Sequence, residues 1–314
     1  AMHWQQQLIS NGGLVVTPFG RLRADVYNNA EIADLVTGSE ENGRTTTRLL
    51  PTAGADMRMP FVRGSDVGEH VLTPVAQFIS ASDETDRNLI GNEDAIALDF
   101  DHTSLFLQDR FTGLDRFEAG TRLNTGLLYT FLAPGGGFLR ASAGESFHIA
   151  GDNSFTTGSG LENTRSDIVT ALALQPWNSL RLSYQARFDS ASLNLVSQQA
   201  SVNTVFERFS LSGGLADLDA EPAYGRLTGE RQVWTAGSLQ LHGPWSLFAG
   251  AHYDYDSHFM VRDYVGVGFD CDCMNMKLYY TEDHQSDRDI RPDHAVMFSI
   301  ELKTLGSIGR SPRP

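Results

Sequence analysis

Cysteine is nearly missing from this chain of 314 residues: Cys271 and Cys273 are the only two. Basic residues are scarce as well, 24 Lys and Arg against 39 Asp and Glu, which gives a formal net charge of -15. That balance argues against a nucleic-acid partner, because neutralising phosphates needs clustered Lys and Arg. No apolar run reaches the ~18 residues of a membrane helix, since Gly, Ser or Thr break the longest uncharged stretches. A transmembrane helix is excluded. The opening AMHWQQQLISNGGLVV has no basic segment, apolar core or cleavage site, so the expectation is a chain that lacks its targeting segment. Catalytic signatures are also missing. Gly158-Ser-Gly160 lacks the spacing of a nucleophile elbow, and Gly266-x-Gly268 has no helix after it to hold a nucleotide.

What is present is alternation. Hydrophobic residues make up 41% and there are 30 glycines, yet mean hydropathy is only -0.25. Membrane strands produce such a value because each shows lipid one face and water the other. Period-two spans are expected at 3–10, 13–27, 45–61, 69–80, 118–132, 138–148, 165–174, 180–189, 193–203, 207–217, 229–241, 246–256, 260–269, 274–282 and 294–304. Short connections such as Asn11-Gly12-Gly13 and His242-Gly243-Pro244 alternate with longer acidic ones at 28–44, 81–117, 149–164, 218–228 and 283–293. Bacterial barrels have short periplasmic turns and longer outer loops.

The clearest span is 180–189. Leu180, Leu182, Tyr184, Ala186 and Phe188 share one face, and Arg181, Ser183, Gln185, Arg187 and Asp189 the other. A slip of one residue would put both arginines into lipid, at roughly 2–4 kcal/mol each near the midplane. The same alternation sets Val296, Phe298, Ile300 and Leu302 against Met297, Ser299, Glu301 and Lys303 in the last span. A soluble sandwich also alternates. Span length, charges on the polar faces of consecutive strands, and aromatics near strand ends (Trp245, Tyr253, Tyr255, Tyr264, Tyr280) favour the membrane. The fold class expected is all-β, an antiparallel transmembrane β-barrel. About fifteen strands is an odd number, whereas single-chain bacterial barrels have an even one, so the expectation is part of a larger barrel.

The two cysteines sit in the turn 270–273. If that segment were extended, their Cα atoms would lie ~6.5 Å apart, at the edge of disulfide geometry, so a bridge between them is disfavoured. They are either free thiols or bonded to a segment outside this sequence. Other polar groupings read as solvated loop: His252-Tyr-Asp-Tyr-Asp-Ser-His258, Asp283-His284 and Asp287-Arg288-Asp289. Acidic loops of this kind can also bind divalent cations that bridge lipid phosphates. Arg110, Asp115 and Arg116 suggest an ion-pair cluster that folds the long loop 81–117 inward, with Asp101 in the same loop.

Several stretches carry a family resemblance. Arg48-Leu-Leu-Pro51 and Met57-Arg-Met-Pro-Phe61 are followed by Leu72-Thr-Pro-Val-Ala-Gln77 and Asn92-Glu-Asp-Ala95. Phe100-Asp-His-Thr-Ser-Leu-Phe106, Arg110-Phe-Thr-Gly-Leu-Asp-Arg116, the cysteine turn and Ser299-Ile-Glu-Leu-Lys-Thr-Leu-Gly306 come next. In this order they resemble the barrel of LptD, the outer-membrane lipopolysaccharide-assembly family of Gram-negative bacteria. Asp272 separates the cysteines, which are adjacent in the best-known members.

The resemblance implies transport without covalent chemistry: no catalytic residue, no cofactor and no metal. It implies lipopolysaccharide as the transported ligand, a plug lipoprotein of the LptE type, and a periplasmic bridge protein docked on an N-terminal jelly-roll domain outside this sequence. It also implies disulfides from Cys271 and Cys273 to that domain. Release would be lateral, through a seam bordered by the last strand, 294–304. The rival readings are a general diffusion porin and, at a greater distance, an outer-membrane hydrolase.

Overall fold

The structure, a computed structural model, describes residues 1–33, 40–84, 90–220, 226, 228–285, 292–303 and 306–308; at 29–33, 40–44 and 306–308 the description is of the backbone. The described residues form strands and loops and contain no helix. The strands begin with β1 (Met2–Gln5), β2 (Leu8–Ile9), β3 (Val15–Ala33), β4 (Glu40–Arg58), β5 (Phe61–Ser65) and β6 (Gly68–Ala81). Next come β7 (Gly120–Leu132), β8 (Phe138–Ala150), β9 (Ile168–Trp177), β10 (Leu180–Phe188), β11 (Leu195–Val205) and β12 (Phe209–Leu218). The last are β13 (Glu230–Gln240), β14 (Trp245–Asp254), β15 (Phe259–Asp270), β16 (Met274–Asp283), β17 (Asp293–Leu302) and β18 (Gly306–Ile308).

Every ladder is antiparallel and joins neighbours in the chain, an up-and-down meander. β1 and β2 lie along one edge of β3, and β4 and β5 along one edge of β6, so each pair is a single strand interrupted once. The second interruption falls at Met59 and Pro60, where proline has no amide hydrogen to donate to the ladder. Counted as whole strands, the fifteen spans expected from alternation are present, and β18 is a short addition. Among the described residues no residue-by-residue ladder joins β1 or β2 to β17, and β18 stands beside β2 in the sheet order. Thr304 and Leu305, at the end of the expected last span, and Asp287, Arg288 and Asp289 lie outside the described residues.

The outer face is apolar and uncovered. Val296 is 71% exposed and Phe298 57%, and Leu182, Leu211, Leu247, Val265 and Leu278 on other strands are exposed with them. A water-soluble fold would hide such rows, because each buried aliphatic side chain contributes about 1.5–3 kcal/mol. A bilayer makes hiding unnecessary. Three differences from the expectation have local causes. The ladder of β3 and β4 continues through 28–33 and 40–44, expected as loop, where the sequence shows no alternation. β9 runs to Trp177 through Pro176, at an irregularity in its ladder with β10. Tyr264 faces inward rather than toward a girdle: its ring covers Gly250, where a Cβ would stand 2.5 Å from it. Trp245, set edge-on to Phe269, and Tyr253, set against Tyr255, do mark opposite strand ends.

Candidate functional site

The loop between β6 and β7 turns inward and covers the inner face of its own wall. Apolar residues Phe100 and Leu105 of the loop pack with Leu161 and with Val169 on the inner face of β9, and Phe106 and Phe155 close the cluster. Val75, Gln77, Ile79 and Asn124 on β6 and β7 are buried as a result. The inner face of β6 and β7, expected to be hydrated, is instead covered here by the loop.

Two arginine centres hold the loop. At the first, Arg110 is 1% exposed. Its guanidinium donates to the Glu118 carboxylate at 2.9 Å, to the Asn124 side-chain oxygen at 3.0 Å, and to the carbonyls of Ser104 and Leu105. Arg122 lies 3.1 Å from the same Glu118 oxygen. Behind them, Asn124 donates to Gln77 at 2.6 Å and Gln77 to Asp56 at 2.8 Å, while Ser146 donates to Asn124. This is a buried hydrogen-bond chain from β4 to β8 in which each member satisfies the next. Burial pulls the Arg110 pKa down to about 10, opposed by Glu118, and it stays cationic at neutral pH. Burial raises the neighbouring Asp109 carboxyl.

The second centre clamps the loop tip to β3 and β4. Arg48 reaches Glu84 at 2.8 Å, Asp25 at 3.0 Å, and the carbonyls of Leu114 and Asp115. Arg23 and Tyr27 donate to the same Leu114 carbonyl. Asp94 accepts from the amides of Leu114 and Asp115, and those bonds hold its carboxyl below the usual range.

The residues singled out in sequence separate between these centres. Arg110 pairs with Glu118, not with an acid of its own motif. Asp101 caps its own turn by accepting from Thr103 and Ser104. Asp115 accepts from the amides of Glu93 and Asp94, and Arg116 donates to the Ile90 carbonyl. Sequence reasoning missed Arg23, Asp25, Glu84, Glu118 and Asn124 as site residues: Arg23 pairs with Asp25 two residues on and Glu118 with Arg122 four residues on, whereas Glu84 and Asn124 meet Arg48 and Gln77 far along the chain.

A further titrating group sits above β9. Burial pushes the Asp167 carboxyl up to about 6, against the pull of Arg187, whose guanidinium lies 3.6 Å away. The folded chain then holds this proton more tightly than the unfolded one, so the contribution to stability is complete below the unfolded pKa and is lost as pH rises through about 6. Asp167→Asn is expected to flatten thermal stability between about pH 7 and pH 5 relative to the parent, which should gain stability on acidification. A parent curve that loses stability relative to the variant over that window contradicts the assignment.

The last strand and the cysteine turn complete the geometry. On β17, Val296, Phe298, Ile300 and Leu302 form the outward row, paired with Tyr280, Leu278, Met276 and Met274 of β16. Its other edge pairs with β18 only at Ile300, Glu301 and Leu302, which leaves Asp293–Ser299 without a ladder on that side among the described residues. In the turn after β15, the Cys271 amide donates to the Met274 carbonyl and Lys303 bonds Asp270 at 2.6 Å. The turn curls the chain out of the extended form, and the Cys271 and Cys273 sulfurs come within 2.8 Å as free thiols. The Cys273 thiol lowers the Cys271 pKa, and its own is raised.

A family profile described as LptD, LPS transport system D, matches residues 1–247. The LPS-assembly protein LptD of Chromobacterium violaceum is 23% identical over 295 residues, covering 84% of this chain and 34% of that protein. Its counterpart in Sodalis glossinidius is 25% identical over 318 residues, covering 94% and 40%. The chain thus spans between a third and two-fifths of the length of these relatives. Among solved structures, a triple mutant of Rhodopseudomonas blastica porin aligns with TM-score 0.37 and 8% identity over 94% of this chain and 92% of its own. With a profile matching well over half its length, this chain belongs to the LptD family.

Proposed function

We propose that the chain forms the C-terminal part of a barrel that assembles lipopolysaccharide into the outer leaflet of a Gram-negative outer membrane, and that it does so without covalent chemistry. The observation that carries this reading is the half-unpaired edge of β17, which presents a row of grease beside free backbone groups. A lasting free edge is an aggregation hazard, so it calls for a partner strand from the rest of the protein. A weakly zipped junction there is a gate through which acyl chains can leave sideways while sugars stay in water. The loop 82–119, packed against the inner face of its own wall, narrows the lumen and leaves the remaining wall to the saccharide. A plug lipoprotein of the LptE type and a periplasmic bridge protein, docked on a jelly-roll domain, are the partners this reading requires.

A photo-crosslinking residue placed at Phe298 in the full-length protein tests it. Lipopolysaccharide adducts are expected at Phe298 and not at Leu211, far along the wall. Equal labelling at both positions defeats the seam.

Cys271 and Cys273 are assigned to bridges with the N-terminal domain, which tie barrel to jelly roll. In this turn on the short-loop rim Cys273 is exposed and Cys271 half-buried, positions that a partner segment can reach. On non-reducing electrophoresis, the full-length Cys271→Ser, Cys273→Ser protein is expected to lose the mobility shift of the oxidised parent. Unchanged mobility counts against the bridges.

A further inference from the structure

At the outer ends of β15 and β16, Asp263 and Glu282 stand directly opposite each other in the ladder. Tyr264 faces inward, so its neighbour Asp263 faces outward with Glu282. Just beyond β16, His284 folds back over the pair, its amide held by the Val261 carbonyl at 3.0 Å. Its Nε2 lies 2.9 Å from Asp263 Oδ1 and 3.5 Å from Glu282 Oε2. One donor atom from each residue falls within 4.8 Å of the other two. The Tyr280 hydroxyl donates to the remaining Glu282 oxygen, Oε1, and orients the carboxylate.

Two features separate this trio from an ordinary solvated rim. Like charges placed opposite each other across a ladder are destabilising, and neighbouring acids are matched by guanidinium groups: Asp283 by Arg262 and Asp256 by Arg231. Asp263 and Glu282 have no such partner among the described residues. The imidazole nitrogen is also aimed between two carboxylates. A single N–H bonds one oxygen well and leaves the other at 3.5 Å. A divalent ion would satisfy all three at once.

We propose that Asp263, Glu282 and His284 form a binding site for a divalent transition-metal ion that staples β15 to β16 at the outer rim. Two carboxylate oxygens and one imidazole nitrogen, on partly exposed side chains, suit Zn2+ with water in the open position. Ca2+ and Mg2+ fit less well, since they prefer all-oxygen shells. Bonds of about 2.0–2.2 Å at tetrahedral angles set donors roughly 3.4 Å apart, so His284 Nε2 already stands right for Glu282 at 3.5 Å and has only to open slightly from Asp263 at 2.9 Å, within reach of side-chain rotation. The site is independent of the transport reading, and its failure would leave that reading untouched.

The test is calorimetric titration of the full-length protein with zinc chloride, in a Cys271→Ser, Cys273→Ser background so that thiols cannot take the metal. Saturable one-to-one binding is expected. His284→Ala and Asp263→Asn should each weaken it by at least about tenfold, while Asp256→Asn, at a matched acid on the same rim, leaves it unchanged. No saturable binding up to millimolar zinc, or binding that survives His284→Ala, overturns the site.

Discussion

Arg110→Leu is expected to destabilise the inward fold of the loop 82–119 by about 3–5 kcal/mol, because breaking a buried pair leaves its partners uncompensated. The partners at risk are specific. Glu118 would keep Arg122 and the backbone amide of residue 110 but lose the guanidinium, and the buried carbonyls of Ser104 and Leu105 would lose their donor. The apolar cluster of Phe100, Leu105, Leu161 and Val169 cannot hold the loop alone, since its segment 104–106 is positioned by that same guanidinium. The second centre, at Arg48, still clamps the tip, so the loop should swing while staying tethered at 114–115. Limited proteolysis should cut the variant between 99 and 111 where the parent resists, and reconstituted conductance should rise. Equal resistance would show that the arginine is a spectator. Lysine at 110 should rescue poorly, because an ammonium cannot serve four acceptors in a planar fork.

The next largest effect belongs to the outer face. Leu278→Arg, midway along β16 and 48% exposed, is expected to cost about 2–4 kcal/mol of membrane-embedded stability. Gln199→Arg, inward on β11, should change it by less than about 0.5 kcal/mol. The chain already makes this contrast itself: Lys277 lies over the inward Phe248 ring, one residue from Leu278. Reversible urea unfolding from vesicles would measure both. Equal costs would mean that the two faces do not meet different solvents.

The wall was legible because its period is two and its faces meet opposite solvents. β10 occupies Leu180–Phe188, and β16 occupies Met274–Asp283, each within a residue of its expected span. The period-two pattern stops near Asn28 and Thr45, so the upper part of the β3 and β4 ladder carries no such signal. The inward turn of the long loop could be guessed from Arg110-Phe-Thr-Gly-Leu-Asp-Arg116. Its anchors could not. Arg48 finds Asp25 and Glu84 at distances of tens of residues along the chain, and Asn124 meets Gln77 only because β6 and β7 are in register. The turn at Cys271 and Cys273 is legible from its position between two alternating spans, but the curl that brings their sulfurs together depends on the bond from the Cys271 amide to the Met274 carbonyl, which no residue pattern announces.

Nitroxide scanning of β10 tests most directly whether the grease faces a bilayer. Labels at Leu182, Tyr184 and Ala186 should be relaxed by oxygen dissolved in lipid, and labels at Arg181, Ser183 and Gln185 by a water-soluble nickel chelate, alternating at every residue. Apolar positions shielded from both reagents would instead reveal a second protein layer packed over them, and the barrel account would fail.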